Sequence, residues 1–179
     1  NLEMCALVGA VLGAGSDTAV DLHSYLIKNL LQHPEQHRAL MADETLVQGA
    51  ISETLRYESS GKTGLARYAS EDIEIQGHQI QKGQMVQLIT STAGMDPLIY
   101  DDPSTFNIQR DHDKSISFGQ GPHYCIGVTL VRSQTEVMLK ELFKRFPNLS
   151  LGDEIVYDYA HHNARRMDVM TVNTNIAKS

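Results

Sequence analysis

Cysteine is nearly absent: Cys5 and Cys125 are the two in a chain of 179 residues. Two are too few for a disulfide framework, and these lie too far apart for a zinc site, whose thiolates usually come in pairs two to four residues apart. That usage leads us to expect a reducing, cytoplasmic compartment. A basic surplus is missing as well, since 15 Lys and Arg face 22 Asp and Glu for a net charge of −7. Phosphate backbones are bound by an excess of cations, so nucleic acid is not expected as a partner. No unbroken apolar run reaches the ~18 to 20 residues that span a bilayer. The longest, residues 5–15, is followed by Ser16 and Asp17 and lacks the basic flank of a signal peptide. No membrane partner is expected. Start methionine, internal repeats and low-complexity linkers are also absent. Because the chain opens inside an apolar stretch of helical spacing, its first residue is not expected to be a natural N-terminus.

What is present is the make-up of a folded protein, 41% hydrophobic and 21% charged, with enough length for a core. Leu2, Ala6, Leu7, Ala10 and Val11, then Leu22, Tyr25, Leu26 and Leu30, recur at three- and four-residue spacing, which predicts one long helix over 2–33. Gly9, Gly13 and Gly15 weaken its middle, each by up to ~1 kcal/mol relative to alanine, and point to a close neighbour on that backbone. Pro34 suits the first turn of a second helix over 34–41. Leu46, Ala50, Ile51 and Leu55 mark a third over about 43–57. Residues 65–68, 73–75, 79–80 and 85–89 read as short strands, with turns at Gly77-His78 and Lys82-Gly83. From 96 to 121 periodicity fades, and so long an irregular stretch is usually functional. Helix returns over about 126–145, carrying Val128, Leu130, Val131, Val137, Met138 and Leu142, and Pro147 ends it. Alternation at Val169 and Val172 predicts a hairpin within 148–176. The class is α+β, mainly α.

The strongest chemical signal is Phe118-Gly119-Gln120-Gly121-Pro122-His123-Tyr124-Cys125-Ile126-Gly127. It places one cysteine in a glycine-rich loop directly before an amphipathic helix. Amides near a helix start hydrogen-bond a sulfur and favour its anion. Glycines let a flat ligand approach the backbone. Such a thiolate serves as a nucleophile or an axial metal ligand; the alternative for an isolated cysteine is a buried, inert thiol. Glu53 and Arg56 lie one turn apart, as a buried ion pair or as a surface pair of the ordinary helical kind.

The pattern Phe-x-x-Gly-x-His-x-Cys-x-Gly from Phe118 to Gly127 resembles the haem-binding signature of cytochromes P450. Glu53-Thr54-Leu55-Arg56 is similar to the Glu-x-x-Arg of that family's K helix. Ala14-Gly15-Ser16-Asp17-Thr18 is similar to the Ala-Gly-x-Asp/Glu-Thr of its I helix. Glu-x-x-Arg alone carries little weight, but the three stand in family order over nearly the whole chain. The resemblance implies the C-terminal part of a soluble, bacterial-type P450 fold: long I helix, K helix, small sheet, cysteine loop and L helix, with the N-terminal half of the fold missing. It implies haem b (iron protoporphyrin IX) as cofactor and Cys125 as iron ligand, a thiolate that pushes electron density onto the iron and favours O–O cleavage. Phe118, Gly119 and Gly127 frame the cofactor on the cysteine side, and Ala14 and Gly15 face it from the long helix. Asp17 and Thr18 handle protons; the alternative for Thr18 is a helix threonine bonded back to its own carbonyl ladder.

His123 and Arg67 hold the haem propionates by the same resemblance, an exposed strand cation being the alternative for Arg67. Glu53 and Arg56 are structural and brace the loop on the cysteine side. Thr105 and Arg110 are the candidates for the third member of their cluster. Residues near 61–65 and near His162 and Asn163 border the substrate, and His161 and His162 are otherwise surface or pocket residues. The chain departs from its relatives at Ser59-Ser60, where many have Pro-Pro, and at Gly94-Met95-Asp96-Pro97, where Asn-Arg-Asp-Pro is frequent. The activity implied for the intact protein is hydroxylation or epoxidation of a small-molecule substrate with O2. A ferredoxin or flavodoxin-type electron donor would approach the cysteine side, where His112, Lys114, Arg132, Lys140 and Lys144 cluster in sequence. Two rival expectations stand: a truncated or split half that binds haem or a partner without catalysis, and a helical scaffold with no haem. With cover helices missing, Leu7, Val11, Leu22 and Leu26 are expected to face water.

Overall fold

Asn1 accepts a hydrogen bond from the Glu3 amide at 3.2 Å and so starts α1, Leu2–Gln32. This is a computed structural model, and it describes residues 1–59, 61, 64–160 and 165–175. Pro34 opens α2 (Pro34–Ala42) where a missing N–H costs nothing. Asp43 takes the Thr45 amide at 2.9 Å and caps a 3-10 turn, Glu44–Leu46, that runs into α3 (Val47–Tyr57). Four strands follow, β1 (Leu65–Tyr68), β2 (Ile73–Ile75), β3 (His78–Ile80) and β4 (Met85–Leu88), then a one-turn α4 (Thr90–Ala93) that lacks a sequence signature. After the irregular stretch come a 3-10 turn (Gly121–His123), α5 (Val128–Arg145), β5 (Ser150–Asp158) and β6 (Arg166–Asn173).

The strands do not form one small sheet among the described residues. They form three two-stranded antiparallel ladders, β1–β4, β2–β3 and β5–β6, the second nested inside the first in sequence. In the first two ladders, strands of three or four residues bury too little to recruit further neighbours.

The two halves of α1 have different fates. Leu22, Leu26 and Leu30 are buried against Leu40 of α2, Val47, Ala50 and Ile51 of α3, Phe106 and Ile108 of the irregular stretch, and Leu139 and Phe143 of α5. Residues 1–18 are all exposed, Leu7 and Val11 among them. The expectation that Leu22 and Leu26 face water is therefore corrected. Their spacing marks an apolar face along the whole helix, but α3, α5 and the β5–β6 hairpin roof its second half.

By length and composition α1 is also apolar enough to cross a membrane, with a mean hydropathy of 1.3 over 18 residues. An average of that kind tolerates isolated polar residues that break an apolar run, which is why no such span was expected from the sequence. The measure does not separate a spanning helix from one covered by protein, and the second half of α1 is core.

Candidate functional site

Cys125 sits three residues ahead of α5, half-buried and free of any disulfide. Its amide donates to Phe118 O at 2.9 Å, which closes the loop across seven residues, and Val128 N approaches its carbonyl at 3.4 Å. Gly119 holds φ +76°, and a Cβ there would lie 3.3 Å from His123 O, so the turn needs glycine on both counts. Phe118 packs on the core, with the Arg132 guanidinium 5.5 Å from its ring centroid. A Cβ on Gly127, the residue that caps α5, would come within 3.9 Å of the Cys125 sulfur. His123 is exposed at the end of the 3-10 turn. Cys5 lies exposed near the start of α1, in none of this framework.

On α1, Thr18 Oγ1 donates to Ala14 O at 2.6 Å. The bland alternative for Thr18 is thus the arrangement present. It commits the hydroxyl proton to the ladder and leaves the oxygen free to accept. The Asp17 carboxylate faces Arg166 of β6 at 3.3 Å. Among the described residues, nothing outside the helix's own nearby backbone lies within 4 Å of where a Cβ on Gly13 or Gly15 would sit. Beyond them a groove of ≈690 Å³ between α1 and α5 is lined by Gly15, Ser16, Val20, His23, Val137 and Met138 among others.

Glu53 and Arg56 make a fully buried bidentate pair, Nε to Oε2 and Nη2 to Oε1, both at 2.7 Å. Arg56 also donates to the carbonyls of Gly94 (2.7 Å), Pro103 (2.8 Å) and Thr105 (3.1 Å), and Asn107 N donates to Glu53 Oε1 at 2.8 Å. One helical side chain thereby fixes the course of the irregular stretch. Both third-member candidates take part: Arg110 with its side chain, Nε 3.4 Å from Glu53 Oε1, and Thr105 with its backbone oxygen. His112, grouped above with the partner-facing cations, instead sits inward, Nε2 3.6 Å from Glu53 Oε2. Burial pushes its pKa below the ordinary histidine value, outweighing the upward pull of Glu53. Gly94, one of the departures noted in sequence, packs on Arg56, where a Cβ would meet Arg56 O at 2.5 Å.

Arg67 stands on the exposed strand β1, paired in register with Val86, and donates to Ala66 O at 2.9 Å; it has no carboxylate partner among the described residues. Gly61 helps line a cavity of ≈250 Å³ with Tyr57, Glu58, Ser59, Ser91 and Arg165. Ser60, Lys62, Thr63, His161, His162 and Asn163 lie outside the described residues. Sequence reasoning missed Arg165 and Arg166, whose partners sit more than 100 residues away and share no motif with them.

The donor set fits a haem better than a bare ion. No group of three or more His, Cys, Asp or Glu that could cage a metal occurs among the described residues. A lone thiolate donor needs a metal whose other ligands come from elsewhere, as the four nitrogens of a porphyrin do. Cys125, the glycine backbone at Gly13 and Gly15, and the guanidinium of Arg67, without a carboxylate partner among the described residues, fit an iron ligand, a surface that a flat group can approach and a propionate donor.

The sequence profile of the cytochrome P450 family matches residues 1–155. The chain is 36% identical over 170 residues to the epothilone C/D epoxidase of Sorangium cellulosum, covering 95% of this chain and 40% of that protein. It is 41% identical over 140 residues to the biotin biosynthesis cytochrome P450 of Bacillus subtilis, covering 78% of this chain and 35% of the relative. The structure superposes on epothilone D-bound cytochrome P450epoK with a TM-score of 0.89 at 35% identity, over 95% of this chain and 42% of that one. The chain thus spans about 40% or less of the length of these curated relatives. Haem b is the cofactor of the family. On the profile match, the level of identity and the shared fold, the chain belongs to the cytochrome P450 family.

Proposed function

We propose that the intact protein is a haem-thiolate monooxygenase and that residues 1–179 are the part of its haem domain that ligates the iron and manages protons. The observation that carries this reading is the Cys125 loop: a free, half-buried thiol ahead of a long helix, pinned by the 2.9 Å bond to Phe118 O. The reaction consumes RH, O2, two electrons and two protons and yields ROH and water, or the epoxide of an alkene. Relatives named as an epoxidase and as hydroxylases support a small organic substrate.

Bound haem supplies the oxygen-activating chemistry. Cys125 would hold the haem iron through its sulfur, from a loop whose shape Gly119 and Phe118 fix. Arg67 and His123 offer cations or donors for the propionates. Glu53 and Arg56 hold the irregular stretch and through it the cysteine side. Asp17, with an exposed carboxylate, takes a proton from water and passes it inward. Thr18, its own proton held by Ala14 O, accepts a hydrogen bond at the oxygen and steadies the donor. Ala14 and Gly15 keep that wall thin. On this reading the protein works in the cytoplasm, and a ferredoxin or flavodoxin-type electron donor is drawn to exposed Lys114 and Lys144.

One observation favours a second reading for the chain alone. The exposed first half of α1 leaves its haem-facing motif uncovered, so residues 1–179 without the rest of the fold would bind haem or a partner and not turn over. Steady-state turnover of the full-length holoenzyme with Thr18→Ala and Asp17→Asn tests the main reading. Haem and substrate binding are expected to persist while peroxide replaces hydroxylated product. Unchanged coupling in both variants would place the relay elsewhere.

A further inference from the structure

Asp17, Asp21, Tyr25 and Lys28 fall at i, i+4, i+8 and i+11 of α1 and so form one stripe along the helix. The β5–β6 hairpin and the end of α3 face that stripe with charges of opposite sign. Glu58, which follows α3, pairs with both Lys28 and Arg165. Tyr25 donates its hydroxyl to Arg165 O at 2.8 Å and accepts from Arg165 Nε at 3.3 Å, while Lys28 donates to Tyr157 Oη at 3.2 Å. One step along the chain, Arg166 bridges two carboxylates, with Nη2 3.3 Å from Asp17 Oδ1 and Nε 3.9 Å from Asp21 Oδ1. Asp17, Asp21 and Glu58 carry −3, and Lys28, Arg165 and Arg166 carry +3. Glu58 shares two of these cations, whereas Asp17 and Asp21 share Arg166.

The two ends of the Arg166 bridge differ. The Asp21 side chain is 6% exposed and the Asp17 side chain 60%. A buried carboxylate keeps its cation because water cannot replace it. An exposed one can exchange its cation for water at little cost. Arg166 is therefore anchored by Asp21 and presents its other nitrogen to Asp17.

We propose that Arg166 is the positioning residue for Asp17, holding that carboxylate at a fixed place on α1 between rounds of proton transfer; this rests on the relay reading above. When Asp17 takes up a proton its attraction to Arg166 weakens, and Asp21 keeps the guanidinium where it is. The carboxyl is then free to turn, and on losing its proton it returns to the same cation. The hairpin strand β6, whose first residue is Arg166, thereby joins the proton-handling apparatus.

The test compares Arg166→Gln, Arg166→Lys, Asp17→Asn and the Asp17→Asn/Arg166→Gln pair in full-length holoenzyme. Peroxide released per electron pair consumed and the urea midpoint of each protein are measured. Arg166→Gln should raise the peroxide share several-fold with the haem spectrum and substrate affinity kept. Arg166→Lys should restore most of the coupling, and the double variant should be no more uncoupled than Asp17→Asn alone. The urea midpoints should be non-additive as well, since the two side chains share one contact. Coupling retained in Arg166→Gln while Asp17→Asn uncouples overturns the proposal and spares the relay. Additive midpoints, or no rescue by lysine, overturn it too. Coupling retained in Asp17→Asn overturns the relay itself, and the proposal with it. If Arg166→Gln fails to fold, Arg166→Met replaces it, with the same several-fold rise in the peroxide share expected and retained coupling overturning the proposal.

Discussion

Replacing Glu53 by Gln changes one oxygen for an amide nitrogen inside a side-chain cluster that water does not reach. The carboxylate accepts from Arg56 Nε at Oε2, and from Arg56 Nη2 and the Asn107 amide at Oε1. Glutamine keeps the shape but must point its NH2 at one of these positions. Facing Nε, it sets donor against donor and forfeits one charge-assisted bond, about 1.5 to 3 kcal/mol. Facing Nη2 and Asn107, it forfeits two, so the first orientation is the one adopted. The Arg56 guanidinium is then buried without its counter-charge, and breaking one side of such a pair costs about 3 to 5 kcal/mol. The Gly94, Pro103 and Thr105 carbonyls still solvate Arg56, so the lower end of that range is expected, ~3 kcal/mol against a total stability of ~5 to 15 kcal/mol. Glu44→Gln is the control. Its partner Lys140 is 3.4 Å away with the two side chains 75% and 61% exposed, and a pair like that contributes at most about 1 kcal/mol. Urea unfolding of the full-length protein at a fixed excess of haem reads both. A loss below ~1 kcal/mol for Glu53→Gln, or one no larger than for Glu44→Gln, would refute the burial argument.

Leu26→Ala, in the core half of α1, should cost about 2 to 5 kcal/mol in the same unfolding assay, and a cost under ~1 kcal/mol would show that the α1–α3 packing is wrong. Burial lowers the pKa of His23, His37 and His112. The unfolded chain then binds more protons below ~6.5, so the stability they contribute is intact above ~6.5 and falls as pH drops toward the lowered folded values. Melts at about pH 7.5 and 5.5 should show this loss, with His112→Asn removing part of it; stability that rises on acidification would contradict the sign. Lys144→Glu, on an exposed site, should slow reduction by the electron donor through its on-rate, and added salt should shrink the difference. A reduction rate indifferent to both would remove that face as the docking side. Arg132 does not suit that test, because it is half-buried over Phe118.

Features with a local period or motif were legible in the sequence. The α1, α2 and α5 spans follow from three- and four-residue spacing and from Pro34, and the strands from short apolar runs between turns. The cysteine loop, the Glu53–Arg56 spacing and the acid–alcohol pair could be read because each fits within ten residues. What escaped was set by packing across long separations. Leu7 and Leu26 share one spacing pattern and differ only in what covers them. His112 read as a surface cation because nothing local shows that the irregular stretch folds back onto Glu53. Arg165 and Arg166 carried no signal in the sequence because their partners Tyr25, Glu58, Asp17 and Asp21 precede them by more than 100 residues. α4 is a single turn, too short to carry a period.

The central claim is that Cys125 is the thiolate that ligates haem iron. The most direct measurement is the carbon monoxide difference spectrum of the reduced full-length protein, taken for wild type, Cys5→Ser and Cys125→Ser. Only a thiolate ligand gives the strongly red-shifted Soret band of this family. Wild type and Cys5→Ser should show that band, and Cys125→Ser should lose it while far-UV circular dichroism keeps the helical signal of α1 and α5. A red-shifted band that survives in Cys125→Ser, or that disappears in Cys5→Ser, would contradict the account.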